Sequence, residues 1–324
     1  MRHALGFVTL AFIASFLTSC GSGVSSQRAR ELKRLGYVAV PLEAALGRDS
    51  RVGVAAAVNR ERVSLLIDSG ANASRISESK AASSGLKIRK DTHAISRGAL
   101  GRAFKIKQGV GSLSIGDLTV EPYQFSIGDG TDGPTAIGRF DGHIGSDGLN
   151  LMSAMVDVSS NRIWLPSDRA VNVRNGIIRR LGLRPALGIV ARPFSLARGS
   201  DHYILSSTAN GRRVTWVIDT GAEISLLTKA AASRIGLSVQ GSNVSILDAH
   251  GDRASIGLTT IPELRFGPFV AEGLQTGVGD FPSLGRFFRD RTGRPVDGIL
   301  GIDFLRQASA LIDAKSQILY IGSR

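Results

Sequence analysis

Two carboxylates carry the chemical interest of this chain. Asp68 ends the largely apolar run Val63–Ile67 and is followed by Ser69, Gly70 and Ala71. Asp219 ends the run Val214–Ile218 and is followed by Thr220, Gly221 and Ala222. Acids avoid both strands and burial, so a strand that delivers one into a glycine turn calls for a reason. A single Asp-Ser/Thr-Gly is an ordinary turn or helix-cap sequence. Two of them, 151 residues apart and in matching surroundings, point to joint use. Carboxylates brought side by side cannot both ionise comfortably; one keeps a proton, and the pair titrates as a unit. The ionised member can then take a proton from water while the protonated member hydrogen-bonds a carbonyl under attack. That is hydrolysis of an amide with neither a metal nor a covalent intermediate.

The elements that must position these acids are themselves repeated. The 151-residue offset also relates Gly85-Leu86 to Gly236-Leu237 and Gly116 to Gly267. Farther on the offset becomes 156, as though the second copy had gained five residues near Arg286–Pro295. Gly142–Leu149 (GHIGSDGL) then matches Gly298–Leu305 (GILGIDFL), and Asp157 matches Asp313. A period this long is a domain duplication and not a solenoid unit. Short Val, Ile and Leu runs cut by glycine, with 39 glycines in 324 residues, predict a β-rich protein. The boundaries predicted are a leader at residues 1–19, a tether at 20–37, a first lobe at 38–168, a connector at 169–187 and a second lobe at 188–324. Each lobe is expected to be all-β with few short helices. One helix follows each acid turn and ends at Gly85 or Gly236. Asp147 and Asp303 are expected to cap a second. Lobes related by an approximate two-fold axis bring equivalent residues together on it, which is where Asp68 and Asp219 are expected.

Asp68-Ser69-Gly70-Ala71 and Asp219-Thr220-Gly221-Ala222, each followed downstream by an apolar-Gly segment, resemble the aspartic proteases. The closest form is the retropepsin-like bacterial group, here as a tandem in one chain. The resemblance implies two β-barrel lobes about a pseudo-two-fold axis and a catalytic dyad of Asp68 and Asp219. It also implies that the Ser69 and Thr220 hydroxyls brace the two loops and that Gly70 and Gly221 donate amides to the carboxylates. Substrate-covering flaps are implied at Ala99, Leu100 and Gly101 and at Ala249, His250 and Gly251. The second apolar-Gly segment, Gly298–Gly301, fits the pattern. The first, Gly142–Gly145, departs from it at His143, which puts the packing beneath Asp68 in question. Ala71 and Ala222 stand where pepsin-like enzymes often carry a hydroxyl that lowers a carboxyl pKa. Alanine there is expected to move the working range toward neutral pH.

The amino terminus begins with Arg2 and His3, continues as an uncharged apolar run from Ala4 to Leu17, and reaches Leu-Thr-Ser-Cys at Cys20. The run is short for a permanent membrane helix and reads as a secretory signal. Its end resembles the lipobox of bacterial lipoproteins, with the chain's only cysteine at the lipidated position. The resemblance implies an envelope protein held by lipid, with Gly21 favouring the outer membrane and a periplasmic location. Net charge is +13, but the basic residues are spread out and not interleaved with aromatics, so no nucleic-acid module is expected. Five unpaired histidines and one cysteine predict neither a metal site nor a cofactor. The expected partners are a peptide or protein substrate and the membrane. With both acids in one chain, no dimerisation is needed. Two alternatives fit the same residues. One is a non-catalytic peptide- or envelope-binding lipoprotein on this fold. The other is a structural lipoprotein whose lobes pair so as to keep the two acids apart.

Overall fold

Each lobe begins with a hairpin whose turn is dictated locally. Strand Val52–Val58 returns as Glu61–Ile67 through Asn59-Arg60, and strand Tyr203–Ala209 returns as Arg212–Ile218 through Asn210-Gly211. All four turn residues have positive φ: 46° and 76° in the first, 47° and 72° in the second. This twist suits a two-residue hairpin, and glycine is at home there where arginine is not. The returning strand of each hairpin is the one that ends on the acid.

The structure is a computed structural model and describes residues 21–44, 50–98, 100–101, 103–128, 140–167, 189–197, 199–248, 251–293 and 295–322. The expected leader, Cys20, the connector at 169–187 and the flap residues Ala99, Ala249 and His250 lie outside these. No helix among the described residues is long and apolar enough to cross a membrane.

Each lobe is a β-barrel. In the first, the strands run in the order 52–58, 61–67, 142–144, 75–76, 118–127, 103–115, and the last pairs back onto the first. The second lobe repeats this with 203–209, 212–218, 298–300, 226–228, 269–279 and 257–266, again closed by pairing of its outer members. Short helices are few: Glu78–Ser83 and Lys229–Arg234 follow the acid turns, and Ser146–Leu151 and Ile302–Gln307 follow the apolar-Gly strands. Gly85 and Gly236, at φ 62° and 74°, take the left-handed position just past the first pair of helices.

A third sheet joins the lobes, with three strands from each in the order 37–41, 162–166, 155–157, 311–313, 318–322, 189–193. At its centre Met155 faces Asp313, Val156 faces Ile312, and Asp157 faces Leu311. Each of these residues has its repeat partner 156 positions away, so the register is its own mirror under exchange of the copies. That is what a two-fold axis between Val156 and Ile312 requires. The apolar cores of the two lobes run together into one cluster that includes Leu65, Ile67, Ile144, Trp216, Ile218, Leu300 and Ile312.

The expected tether is not one. Residues Gly21–Arg34 form a helix. Its Leu32, with Leu35 and Tyr37 after it, packs against Met155, Trp164, Leu311 and Tyr320 on the shared sheet. Arg28, 1% exposed, pairs with Asp157 at 3.4 Å and donates to the Ser309 carbonyl at 3.1 Å. Arg28, Leu32 and Leu35 stand four and seven apart, the spacing of one helical face. The small residues of Gly21–Ser26 suggest slack, but that stripe dominates.

Candidate active site

The acids reach the two-fold axis because a parallel strand holds each loop from behind. Leu65, Leu66 and Ile67 pair with Gly142, His143 and Ile144, and Trp216, Val217 and Ile218 pair with Gly298, Ile299 and Leu300. The Asp68 amide donates to the Ile144 carbonyl at 3.0 Å, and the Asp219 amide to the Leu300 carbonyl at 2.9 Å. With each strand anchored, the chain turns at Ser69-Gly70 and Thr220-Gly221. Gly70 and Ala71 donate to Asp68 Oδ1 at 3.1 and 3.0 Å, and Gly221 donates to Asp219 Oδ1 at 2.8 Å.

The two turns are stitched together reciprocally. Ser69 Oγ donates to the Ile218 carbonyl at 2.9 Å and accepts from the Thr220 amide at 3.1 Å. Thr220 Oγ1 donates to the Ile67 carbonyl at 2.6 Å and accepts from the Ser69 amide at 3.0 Å. Both hydroxyls are fully buried. Each carboxylate therefore lies against the glycine of the opposite turn. A Cβ on Gly70 would come within 2.2 Å of Asp219 Cγ, and one on Gly221 within 2.6 Å of Asp68 Cγ. Asp68 and Asp219 are brought together, which removes the arrangement in which the lobes keep them apart.

Electrostatics follow from this contact. Asp219 is pushed up to about 8 by its withdrawal from water and by the Asp68 charge beside it. The shift favours the protonated form of Asp219 around neutral pH.

A further layer lay outside the sequence expectations. Ser74, six residues after Asp68, donates its amide and hydroxyl to Asp147 and accepts the Gly145 amide at 3.0 Å. Ser225, six residues after Asp219, does the same with Asp303 and Gly301. Asp147 and Asp303 are therefore not helix caps: the cap positions are Gly145 and Gly301, which make no side-chain cap bond. Each aspartate sits in the first turn of its helix and clamps the acid loop to the strand behind it. The signal was present in the sequence, because a serine follows both acids at the same distance.

His143 does not weaken this frame. Its strand keeps the pairing found in the second lobe, and its Nε2 meets the Ala73 carbonyl at 3.0 Å. Burial pulls its pKa down, so the imidazole is neutral.

Of the expected flap residues, Leu100, Gly101 and Gly251 are described. Leu100 packs against an apolar cluster of the second lobe that includes Leu226, Ile256, Phe288 and Ile299. Its amide donates to the Asp248 carboxylate at 3.2 Å. The loop of the first lobe thus reaches across to the second. Gly101 and Gly251 take positive φ, 96° and 80°, in the two loops.

The family model described as Aspartyl protease matches residues 54–149 and 205–304, more than half of the chain and once in each lobe. A solved structure, the crystal structure of a retropepsin-like aspartic protease from Rickettsia conorii, is similar at 18% identity and a TM-score of 0.29; the match covers 41% of this chain and 90% of that one. Comparison with curated protein sequences gives no match.

Proposed function

The chain belongs to the aspartyl protease family, and we propose that it is a single-chain endopeptidase whose dyad is Asp68 and Asp219, held at the bacterial envelope by a lipid on Cys20. The observation that supports the dyad best is the reciprocal exchange of Ser69 and Thr220 hydrogen bonds, which fixes the two carboxylates against each other.

The raised carboxyl of Asp219 supports one division of roles. Ionised Asp68 accepts a proton from a water held between the acids, and the water oxygen bonds to the carbonyl carbon of the substrate. Asp219 gives its proton to the carbonyl oxygen as charge builds there. The tetrahedral species collapses when the amide nitrogen takes the proton from Asp68 and one hydroxyl of the tetrahedral carbon returns a proton to Asp219; the C–N bond breaks, and a carboxylic acid and an amine leave. Both carboxyl groups then regain their starting states. The turn amides on Asp68 keep the base oriented while it works. The lipid anchor rests on the Leu-Thr-Ser-Cys sequence alone; metabolic labelling with a fatty-acid analogue, with Cys20→Ala as the control, tests it.

Cleavage of a peptide library, read by mass spectrometry, tests the activity. Asp68→Asn and Asp219→Asn are each expected to lower the rate by about 10²–10⁴-fold or more. Equal cleavage by the wild type and both variants, or no cleavage at any pH, sinks the enzyme reading and leaves a peptide-binding lipoprotein on this fold.

A further inference from the structure

The two lobes match at the acids but not beside them. Across the short antiparallel contact behind the first acid loop, Arg75 faces His143. Across the equivalent contact in the second lobe, Leu226 faces Ile299. The offsets of 151 and 156 make these the same two positions. Strand alternation sets which way they point. Ile76 and Ile144 are fully buried in the barrel core, so their neighbours Arg75 and His143 face the other way. Leu66, opposite His143 and two residues before Asp68, shares that side. In the second lobe this side is apolar: Val217, Leu226 and Ile299 join Phe281, Leu284 and Phe288. One half of the site is thus walled by hydrocarbon, and the other carries a guanidinium and an imidazole.

The guanidinium is under-compensated. Arg75 is 5% exposed, yet it makes no ion pair among the described residues and donates only to the Ser96 hydroxyl at 2.5 Å. Asp68 is near enough to act on its charge, but no hydrogen bond joins the two, and Asp68 Oδ1 accepts from the turn amides. His143 Nδ1 is buried without a hydrogen-bond partner. A buried arginine with no carboxylate hydrogen-bonded to its fork is costly, and a ligand carboxylate accepting from that fork would offset the cost. Histidine and arginine also make a poor replacement for leucine and isoleucine if the only task is packing.

We propose that Arg75, with His143 beside it, is a specificity-determining wall that receives an acidic side chain. The protein would then cleave chains with Asp or Glu within a few residues of the scissile bond on the first-lobe side and an apolar residue on the second-lobe side. The proposal rests on the reading of Asp68 and Asp219 as a peptide-cleaving dyad. A net charge of +13 agrees with it, because a basic protein draws acidic partners toward its surface.

The test has two arms on the full chain. In the first, a proteome-derived peptide mixture is cleaved, and then matched peptides with Glu or Gln at the enriched position are compared. The expected results are acid enrichment at one fixed position and a Glu-over-Gln preference of about tenfold or more in kcat/KM. The double variant Arg75→Leu/His143→Ile, which gives the first lobe the pair the second carries, is expected to lose that preference and still cut apolar peptides. Arg75→Lys, which keeps the charge but not the fork, should retain part of it and covers the case in which the double variant does not fold. The second arm measures binding of the same Glu and Gln peptides to Asp219→Asn by fluorescence anisotropy. It reads the wall whether or not any peptide is cut, so failure of the dyad reading and failure of this one are distinguishable. No acid enrichment, equal binding of the two peptides, or an Arg75 variant that slows all peptides alike overturns the proposal. The last result would make Arg75 a residue that only adjusts the dyad.

Discussion

At the residue scale the decisive property is the proton on Asp219. Its carboxyl is raised to about 8, so the group is protonated below that pH and ionised above it. Two outcomes follow with opposite signs. On the proposed mechanism activity depends on the proton, so kcat/KM is expected to fall as pH rises through about 8, read as the alkaline limb of a pH–rate profile; a profile that peaks near pH 2, or one without an alkaline fall, contradicts the assignment. Stability is affected differently. A folded-state pKa above the unfolded one means that the native protein binds more protons than the unfolded chain between those values, so stability falls across that interval. Asp219→Asn has no carboxyl to ionise there. It is expected to melt higher than the wild type at pH 7 to 8, with the gain shrinking toward pH 4, by differential scanning calorimetry at matched ionic strength. A residue proposed for the chemistry is then one the fold would be more stable without.

At the element scale, hairpin turns and helix faces set what can be tested and what could be read in advance. Arg60 occupies a left-handed position at φ 76° where the second copy has Gly211. Arg60→Gly is expected to stabilise by roughly 0.5–1 kcal/mol, the backbone relief outweighing the added freedom of the unfolded chain; a lower midpoint in urea would contradict this. Arg28→Met should cost about 3 kcal/mol, because it strands Asp157 in the shared sheet, while adding Asp157→Leu should restore much of the loss; a double variant no better than the single one would show that the ion pair is not the reason. The acid turns, the duplicated strands and the meeting of Asp68 with Asp219 were legible because each rests on a local pattern stated twice. The helix Gly21–Arg34 was not, since its apolar face is three residues long and its partners lie on strands more than a hundred residues away. Asp157 and Asp313 were visible as a matched pair, but nothing local says that one meets an arginine. His143 was visible as a departure from the pattern, but Arg75 and its pairing with His143 were hidden for a related reason. Their meaning lies in what the other lobe has in their place, and it shows only once the pairing of Arg75 with His143 and of Leu226 with Ile299 is known.

At the scale of the whole molecule the shared sheet determines how the lobes associate. Its central strands pair by a rule that is symmetric under exchange of lobes, so a lobe deprived of its partner presents an edge that fits a second copy of itself. A truncated chain of residues 189–322 is expected to form a two-fold dimer, read by sedimentation velocity at tens of micromolar; a well-folded monomer at that concentration would show that the register alone does not drive association. The hydroxyl exchange between Ser69 and Thr220 bears on a different moment in the protein's life. Each turn takes its shape from a backbone carbonyl and an amide that belong to the other lobe. During synthesis the first lobe emerges carrying Asp68 while Thr220 is still some hundred and fifty codons from being read. Until then the chain holds half of a catalytic device whose geometry depends on the missing half. The arrangement of the two acids therefore arrives late and all at once, because the fold makes each turn wait for the other.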